Sequence, residues 1–473
     1  MVFDNQCSMR KVLGIFLVVF FCAKTHAQQS IILDSTILDF TVVADSNVTN
    51  APWSLNWGFD NRLWFSDLKK IRVWNPTTGQ LRTLFSKSYG NFLGIAVPKS
   101  LTGAGPTYVY AVFDTGKYYG YGSSRLCHLY RFVYNPTLDT LTSDSLIFSY
   151  NHNGEHSGGK VIITSDNKLM VTSADYFHVN DSLGYRYGKV LRLNTDGTAP
   201  IDNARPDYTW SYGHRNPQGM IALSDGKVFV TEHEYASRGE INLVKKGKHY
   251  GWPVFDGYNC FGPFQDSCIS LTYLANYEAP RAEINFPPAG LDYYNHPSIP
   301  EWKHSLLIGT LGSANNIVAL RLSSANDSIL SKKDYPNTFK RIRDICTAPD
   351  GSVYLIAYDR LNVPNTANTE YNSQAVIYRL RNPFYTNGIQ TENNKIDFGI
   401  YPNPATSHLD ISLASAASGI YTISDLSGKV MKSDSLSGRD NRIDITTLLP
   451  GYYLINIKGR EHFHVEKPFV IIR

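Results

Sequence analysis

The feature of this chain that most constrains its fold is a turn that recurs in front of strand-like runs. Each copy pairs Asp with Asn or Gly and is followed by residues in which apolar side chains alternate with others. Such a pair favours a tight turn, and the alternation is typical of a β-strand. The copies lie at Asp60-Asn61, Asp166-Asn167, Asp225-Gly226 and Asp350-Gly351.

A second strand-like run soon follows most copies, and the uneven spacing predicts insertions or weaker copies between them. One small sheet cannot bury both of its faces, whereas a ring of sheets buries them all. The sequence therefore predicts an all-β chain with a β-propeller of about six blades, and the repeats argue against the alternative of a β-sandwich. The second runs are Ile71–Trp74, Lys189–Leu193, Glu240–Leu243 and Val376–Leu380.

The composition indicates a strand-rich chain and does not indicate a nucleic-acid partner. The 473 residues include 31 Tyr and 23 Phe but only 18% charged residues, which favours strands. A net charge of +4 without a basic run gives no indication of a nucleic-acid partner.

Residues 1–27 are typical of a signal peptide, because Arg10 and Lys11 precede an apolar run. That run is too short to span a membrane, so we expect no transmembrane segment in the mature chain.

The cysteines divide into two kinds once residues 1–27 are set aside. In an exported protein, Cys260 and Cys268 could close a short disulfide loop, and two unpaired thiols are the alternative. Cys127 and Cys346 lie in strand-like runs and are expected to be buried thiols.

The C-terminal part is predicted to be a separate domain. Residues 382–396 are polar and unpatterned, which indicates a linker, and residues 397–473 alternate as in a small β-sandwich. This tail resembles the C-terminal sorting domain of type IX secretion cargo. The resemblance implies export across both membranes to the cell surface or the medium, with the type IX machinery as a partner. The matching features are Tyr401-Pro402-Asn403-Pro404, the Asp425–Lys429 turn, Leu449-Pro450-Gly451-Tyr452-Tyr453 and the basic Arg473.

The predicted propeller, residues 28–381, resembles the soluble glucose/sorbosone dehydrogenases, which use pyrroloquinoline quinone. Matching motifs occur in the same order from Ala51 to about Leu380. The resemblance implies a quinone-dependent oxidation of a sugar or polyol hydroxyl. The motifs include Pro52–Gly58, Tyr134-Asn135-Pro136, Gly188–Asn194, Gly213-His214-Arg215-Asn216-Pro217-Gln218-Gly219 and Tyr250-Gly251-Trp252-Pro253.

The resemblance assigns roles to three of these side chains. His156, between Glu155 and Ser157, corresponds to the general base that deprotonates the sugar hydroxyl, a task suited to a neutral imidazole. Arg215 and Asn216 correspond to the pair that contacts the quinone and polarises the carbonyl that accepts hydride. A turn histidine bonded to a carbonyl, and a loop arginine paired across blades, are the structural alternatives.

Two further arginines are candidates for holding the cofactor. Strand alternation would place Arg341 and Arg343 on one face, where two cations repel unless an anion lies between them. The quinone carries three carboxylates, so the resemblance makes this pair a clamp for them. A solvated edge with Asp344 as the partner is the alternative.

The chain departs from the family at several positions. Tyr89 replaces a Gln or Glu, Gly312 stands where a lysine is expected, and Phe286 stands where a covering Trp is expected. Glu234 and Tyr235 replace the Gly-Pro whose carbonyls bind calcium in glucose-specific members, and calcium near these two residues is expected. A non-catalytic cell-surface propeller that binds glycan or protein is the alternative function, and a calcium-dependent lactone hydrolase is a third.

Overall fold

The computed structural model describes residues 30–45, 47–100, 105–115, 124–153, 156–175, 186–235, 238–260, 276–311, 316–336, 339, 341–359, 374–385, 398–426, 428–459 and 464–472. Nearly all regular structure in these residues is β-strand. The strands before the linker are β1 (Ser30–Ile32), β2 (Ile37–Ala44), β3 (Pro52–Trp57), β4 (Leu63–Asp67), β5 (Lys70–Trp74), β6 (Leu81–Ser86), β7 (Asn91–Ala96), β8 (Tyr108–Asp114), β9 (Ser124–Asn135), β10 (Thr140–Asn153), β11 (Gly158–Ile163), β12 (Leu169–Ser173), β13 (Lys189–Leu193), β14 (Thr209–Tyr212), β15 (Pro217–Ala222), β16 (Val228–His233), β17 (Gly239–Val244), β18 (Phe255–Asp256), β19 (Asn259–Cys260), β20 (Ala282–Ile284), β21 (Pro288–Tyr294), β22 (Ser305–Thr310), β23 (Asn316–Leu322), β24 (Ile329–Pro336), β25 (Ile342–Thr347), β26 (Val353–Asp359) and β27 (Gln374–Arg381).

These strands form six antiparallel sheets in the part of the chain that the structure describes. Sheet 1 is β3-β4-β5-β6, sheet 2 is β7-β8-β9-β10, sheet 3 is β11-β12-β13-β14, sheet 4 is β15-β16-β17-β20, and sheet 5 is β21-β22-β23-β24. Sheet 6 is β25-β26-β27-β2-β1, so the first strands of the chain complete the last sheet. A short hairpin, β18-β19, and a 3₁₀ turn at Pro300–Trp302 lie outside the sheets.

The sheets are arranged in a ring. Their first strands, β3, β7, β11, β15, β21 and β25, each contact the next, and β25 contacts β3. A buried apolar cluster lies between each pair of neighbouring sheets, so both faces of every sheet are covered. Burial of these faces supplies the main favourable term for this fold. The predicted β-propeller is thus confirmed.

The recurrent turn of the sequence marks the entrance to the second strand of a sheet. Asn61, Asn167, Gly226 and Gly351 all have positive φ angles between 56° and 84° and lead into β4, β12, β16 and β26. The predicted second runs are the third strands β5, β13, β17 and β27. Sheets 2 and 5 are the weaker copies that the spacing predicted.

The centre of the ring is crossed by a buried ion pair. Lys160 Nζ in β11 lies 2.7 Å from Asp344 Oδ2 in β25 and donates to Ser54 Oγ in β3 at 3.1 Å. The same carboxylate oxygen accepts from the Leu55 backbone N–H at 2.8 Å. A Cβ atom on Gly290 would lie 1.7 Å from Asp344 Oδ1, so this neighbour must be glycine. The pair therefore connects sheets 1, 3 and 6.

The C-terminal domain has its own core. Its five strands are hydrogen-bonded to one another through the long β29, which pairs with β28 near its start, with β31 near its end and with β30 along both parts. Side chains from all five strands bury one apolar cluster that includes Ile411, Ile423 and Phe469. The strands are β28 (Phe398–Tyr401), β29 (His408–Asp425), β30 (Val430–Asp444), β31 (Gly451–Gly459) and β32 (His464–Ile471).

The remaining sequence expectations have mixed outcomes. Cys127 and Cys346 are buried thiols, as predicted, and Cys260 is disulfide-bonded. Its predicted partner Cys268 lies outside the described residues, as do residues 1–27 and most of the linker. Within the described part of the chain, no helix is long and apolar enough to cross a membrane.

Candidate active site

The predicted site residues gather where the innermost strands of the sheets begin. His156 lies two residues before β11, Arg215 two residues before β15, and Arg341 directly before β25. Trp53 lies at the start of β3. Because the innermost strands contact around the ring, these starting points bring side chains from different sheets to one region. This is the region that the sequence assigned to chemistry.

His156 is held by a backbone carbonyl. Its Nδ1 lies 3.4 Å from the carbonyl oxygen of Asp175, which can only accept, so the contact places a proton on Nδ1. In the neutral ring Nε2 then carries the lone pair. Burial, and secondarily the charge of Arg215, lowers the pKa of His156 to about 4. The imidazole is therefore neutral at pH 7 and able to accept a proton at Nε2.

Arg215 is anchored by the end of β16 and the residue after it. Its Nη1 donates to the carbonyl oxygens of His233 and Glu234 at 3.0 and 3.1 Å. The guanidinium also lies over the rings of Trp252 and Tyr235, at 5.2 and 5.8 Å from their centroids. These contacts fix a nine-tenths buried cation in one place.

The loop that carries Arg215 is fixed by a buried histidine–carboxylate pair. His214 is fully buried, with Nδ1 at 2.9 Å from Glu232 Oε2 and Nε2 at 2.8 Å from Ser211 Oγ. Its ring stacks on Tyr250 at 4.7 Å. The other oxygen of Glu232 accepts from the Arg215 backbone N–H. The Gly-His-Arg-Asn motif is thus a rigid support for the residues that follow His214.

Arg341 and Arg343 do not share one strand face as predicted. β25 begins at Ile342, a register irregularity follows it, and Arg341 has a positive φ of 39°. Strand alternation therefore does not extend to Arg341. Its Nη1 donates to the Leu311 carbonyl in the direction of sheet 5, whereas the Arg343 guanidinium lies 3.2 Å from the centroid of Trp53 in sheet 1. The two guanidinium groups therefore contact different neighbouring sheets, one on each side of sheet 6.

Glu234 and Tyr235, the predicted calcium ligands, lie just beyond β16. The Glu234 carboxylate is buried and its Oε2 lies 2.9 Å from Arg238 Nη2. Burial raises the pKa of Glu234 to about 7, although Arg238 opposes the shift. Tyr235 is more than half exposed, and its backbone N–H donates to Asp256 Oδ1 at 2.9 Å. Among the described residues, no group of three or more His, Cys, Asp or Glu side chains is placed to hold a metal ion.

Tyr89 and Phe286, two of the positions at which the chain departs from the family pattern, lie among the described residues. Tyr89 is exposed and packs edge-on against Phe113, with the ring centroids 5.4 Å apart. Phe286 is half-buried just before β21. Gly312 lies outside the described residues.

The sequence reasoning missed His233, the last residue of β16. Its backbone carbonyl accepts from Arg215, and its pKa is lowered to about 3, first by burial and then by the charges of Arg343, His156 and Arg215. One sequence signal could have found it, because His233 directly precedes the Glu234-Tyr235 pair. Its place beside Asn216 follows only from the antiparallel pairing of β15 with β16.

Family models match both parts of the chain. A model described as Glucose / Sorbosone dehydrogenase matches residues 49–362, and one described as Secretion system C-terminal sorting domain matches residues 399–472. Quinoprotein glucose dehydrogenase B of Acinetobacter calcoaceticus is 29% identical over 248 residues, which is 44% of this chain and 51% of that protein. Aldose sugar dehydrogenase YliI of Escherichia coli is 31% identical over 216 residues, or 43% and 57% of the two chains. The chain thus spans about half the length of these curated relatives.

Solved structures agree on the fold. The PQQ-bound form of aldose sugar dehydrogenase from Streptomyces coelicolor is 20% identical, with a TM-score of 0.56 over 73% of this chain and 98% of that one. The apo form of the soluble aldose sugar dehydrogenase from Escherichia coli is 21% identical, with a TM-score of 0.57 over 73% and 99%.

Proposed function

The chain belongs to the glucose/sorbosone dehydrogenase family, and from this premise we propose that it oxidises a sugar or polyol hydroxyl with bound pyrroloquinoline quinone. The observation that carries the proposal is the position of His156, held by the Asp175 carbonyl just before β11, and of the fixed Arg215 guanidinium just before the neighbouring strand β15. Removal of a hydroxyl proton requires a base, and transfer of hydride to a carbonyl is favoured by a fixed positive charge nearby. His156 and Arg215 would supply these two groups.

The charges around the site suit an anionic cofactor. Arg215 and Arg343 both depress the pKa of His233, so two guanidinium groups act on one small region. Two carboxylates close to these arginines are already engaged. Asp344, next to Arg343 in the chain, pairs with Lys160, and Glu232, which accepts from the Arg215 backbone N–H, pairs with His214. A tricarboxylate would add negative charge beside these guanidinium groups, and Arg is well suited to carboxylates. Arg215, Asn216, Arg341 and Arg343 are the proposed holders.

The proposed mechanism assigns the proton to His156. Its Nε2 takes the proton of the substrate hydroxyl, while the Asp175 carbonyl keeps Nδ1 protonated and the ring oriented. When bound, the quinone supplies the hydride acceptor. Arg215 would hold its positive charge near the reacting group of a bound quinone, because its contacts with the backbone carbonyls of His233 and Glu234 fix the guanidinium in place.

Calcium at Glu234 and Tyr235 remains a prediction. The Glu234 carbonyl accepts from Arg215 and its Oε2 pairs with Arg238, whereas its buried Oε1 makes no hydrogen bond with a described residue. We assign no step to calcium. Quinone titrations of chelator-treated protein with and without added calcium test the prediction, because a real site would lower the dissociation constant only when calcium is present.

The test of the proposed function uses purified apo-protein. Addition of pyrroloquinoline quinone should produce a bound-quinone spectrum and dye reduction with aldoses. His156→Ala should abolish turnover and leave quinone binding largely intact. His296→Ala is the matched control, since this residue follows the far end of β21 and should leave turnover unchanged. If saturating quinone does not bind, the dehydrogenase proposal fails and the non-catalytic surface propeller is favoured.

We further propose that the tail directs export by the type IX machinery to the cell surface or the medium. The support is the match of residues 399–472 to the sorting-domain model and the separate core of this domain. Truncation after Ile396 should retain the protein inside the outer membrane. Normal surface delivery of the truncated protein would rule out the sorting role.

A further inference from the structure

The innermost strand of each of the six propeller sheets carries a β-bulge near its start. In every case the pairing with the second strand of the sheet skips one residue of the innermost strand. A bulge leaves its extra residue outside the ladder and re-aims the side chain, and such bulges are common beside active sites. In β3 the extra residue is Trp53, and in β25 it is Arg343.

These two extra residues meet between sheets 6 and 1. The guanidinium carbon of Arg343 lies 3.2 Å from the centroid of the Trp53 ring. By comparison, the guanidinium carbon of Arg215 lies 5.2 Å from the centroid of Trp252. At 3.2 Å a planar guanidinium can only lie flat on the ring, because an edge-on approach would force its N–H groups into the ring atoms. The Trp53 ring therefore determines the plane in which the Arg343 N–H groups lie.

Both residues of this stack are attached to fixed parts of the ring of sheets. Trp53 is half-buried and packs against the apolar cluster between sheets 2 and 3. The Leu55 N–H donates to Asp344 Oδ2 at 2.8 Å and so ties β3 to β25, one residue beyond Arg343. The stack thus lies beside a direct connection between the two strands that carry it.

An arginine that binds a carboxylate gains affinity from being held beforehand. The N–H groups of a guanidinium lie in its plane, so a carboxylate binds along the edge while a face remains available for stacking. Ordering a long side chain at the moment of binding costs affinity. The stack on Trp53 removes part of this cost, because Arg343 is ordered before a ligand arrives.

We propose that Trp53 is a positioning residue for the cofactor and acts through Arg343. Its ring holds the guanidinium in one plane, and the N–H groups in that plane bind a carboxylate of the quinone. This inference rests on the proposed function. Trp53 lies at the start of β3, at the same end of the ring as His156 and Arg215. A stack that only joins sheets 6 and 1 is the alternative, and it predicts lost stability without lost affinity.

The test measures quinone binding to the full-length apo-protein by calorimetry. Trp53→Leu removes the stacking face and should raise the dissociation constant of pyrroloquinoline quinone about 5- to 30-fold. Trp53→Phe keeps an aromatic face and should stay within about threefold of wild type. The KM for sugar at saturating quinone should not change in either variant.

Trp210→Leu is the matched control. Trp210 also lies under an arginine, with the guanidinium carbon of Arg192 at 4.9 Å from its centroid, but it belongs to β14, the outermost strand of sheet 3. Its replacement should leave the dissociation constant of the quinone at the wild-type value.

A double-mutant cycle shows whether Trp53 acts through Arg343. In an Arg343→Ala background, which lacks the guanidinium, Trp53→Leu should change the dissociation constant by less than about twofold. An equal effect of Trp53→Leu in both backgrounds would show that Trp53 acts without Arg343, and it would overturn the inference.

Arginine side-chain NMR of the apo-protein tests the stack without quinone. Nuclei above an aromatic face are shifted upfield, so the Arg343 Nε–H signal, assigned by its loss in Arg343→Ala, should lie upfield in wild type. It should return to the usual range in Trp53→Leu and stay upfield in Trp53→Phe. A wild-type signal in the usual range would overturn the inference even if Trp53→Leu does not fold.

The binding outcomes separate the inference from the function beneath it. If wild type fails to bind quinone, both are overturned. If wild type binds and Trp53→Leu binds equally well, only the inference is overturned. A lowered free energy of unfolding in Trp53→Leu with an unchanged dissociation constant would assign the stack to stability alone.

Discussion

Asp344→Asn should strongly destabilise the propeller. Asn has nearly the same shape and can still accept from the Leu55 N–H, which is 2.8 Å from Asp344 Oδ2. It removes the counter-charge of Lys160, which lies 2.7 Å away and is 7% exposed. Removal of one partner from a buried ion pair costs about 3–5 kcal/mol, because the remaining charge is left without compensation. We expect a loss of that size in the free energy of unfolding.

The double variant Lys160→Met/Asp344→Asn provides the matched control. It removes the stranded charge, so it should recover most of the loss, and the double-mutant cycle should show a coupling of about 2 kcal/mol or more. Urea unfolding followed by tryptophan fluorescence is a suitable assay, since all seven tryptophans lie before the linker and report on the propeller alone. A loss below about 1 kcal/mol in Asp344→Asn, or a double variant no more stable than the single one, would refute the argument.

Three other changes follow from the same structure. Gly290→Ala should lower the melting temperature, because its Cβ would lie 1.7 Å from Asp344 Oδ1; Gly105→Ala, with nothing within 4 Å, should not. The raised pKa of Glu234, about 7 against 4.5, adds stability below pH 4.5 that is lost as the pH rises through 7. Glu234→Gln should therefore flatten the pH dependence of the urea midpoint over this range, and an unchanged slope would contradict the assignment. For the quinone-loaded enzyme, kcat/KM should stay near its maximum down to about pH 6, because the pKa of His156 is held below its usual 6.5; an acid limb centred at 6.5 or above would argue against it.

The propeller could be predicted from sequence because its turns require particular residues. Asn61 and Gly226 occupy positive-φ positions that these residue types favour, and each lies just before the second strand of its sheet. In sheet 5 the same position is held by His304, with φ of 59°, which is not a turn residue by type. Its turn is stabilised by side-chain contacts with Tyr293 and Ser323, which local sequence does not reveal. For this reason the recurrent Asp-Asn or Asp-Gly turn does not precede the second strand of sheet 5.

Motif and residue type were enough to select His156 and Arg215 as candidates, and their roles stay predictions. The sequence did not show features of the candidate site that depend on neighbouring strands. The divergence of Arg341 from Arg343 depends on where β25 begins, and strand boundaries are weakly encoded. The position of His233 beside the Asn216 amide depends on the pairing of two strands, which local sequence does not show.

The way in which sheet 6 closes has a kinetic consequence. β2 pairs with β27, so Phe40 lies opposite Leu380, almost at the other end of the propeller sequence. Contacts between residues so distant along the chain form slowly, because a long loop must close first. Until β27 has arrived, the edge of β2 that pairs with it is open, and open edges recruit strands from other chains. The interval between the appearance of β2 and the arrival of β27 is therefore when this protein is most prone to aggregate.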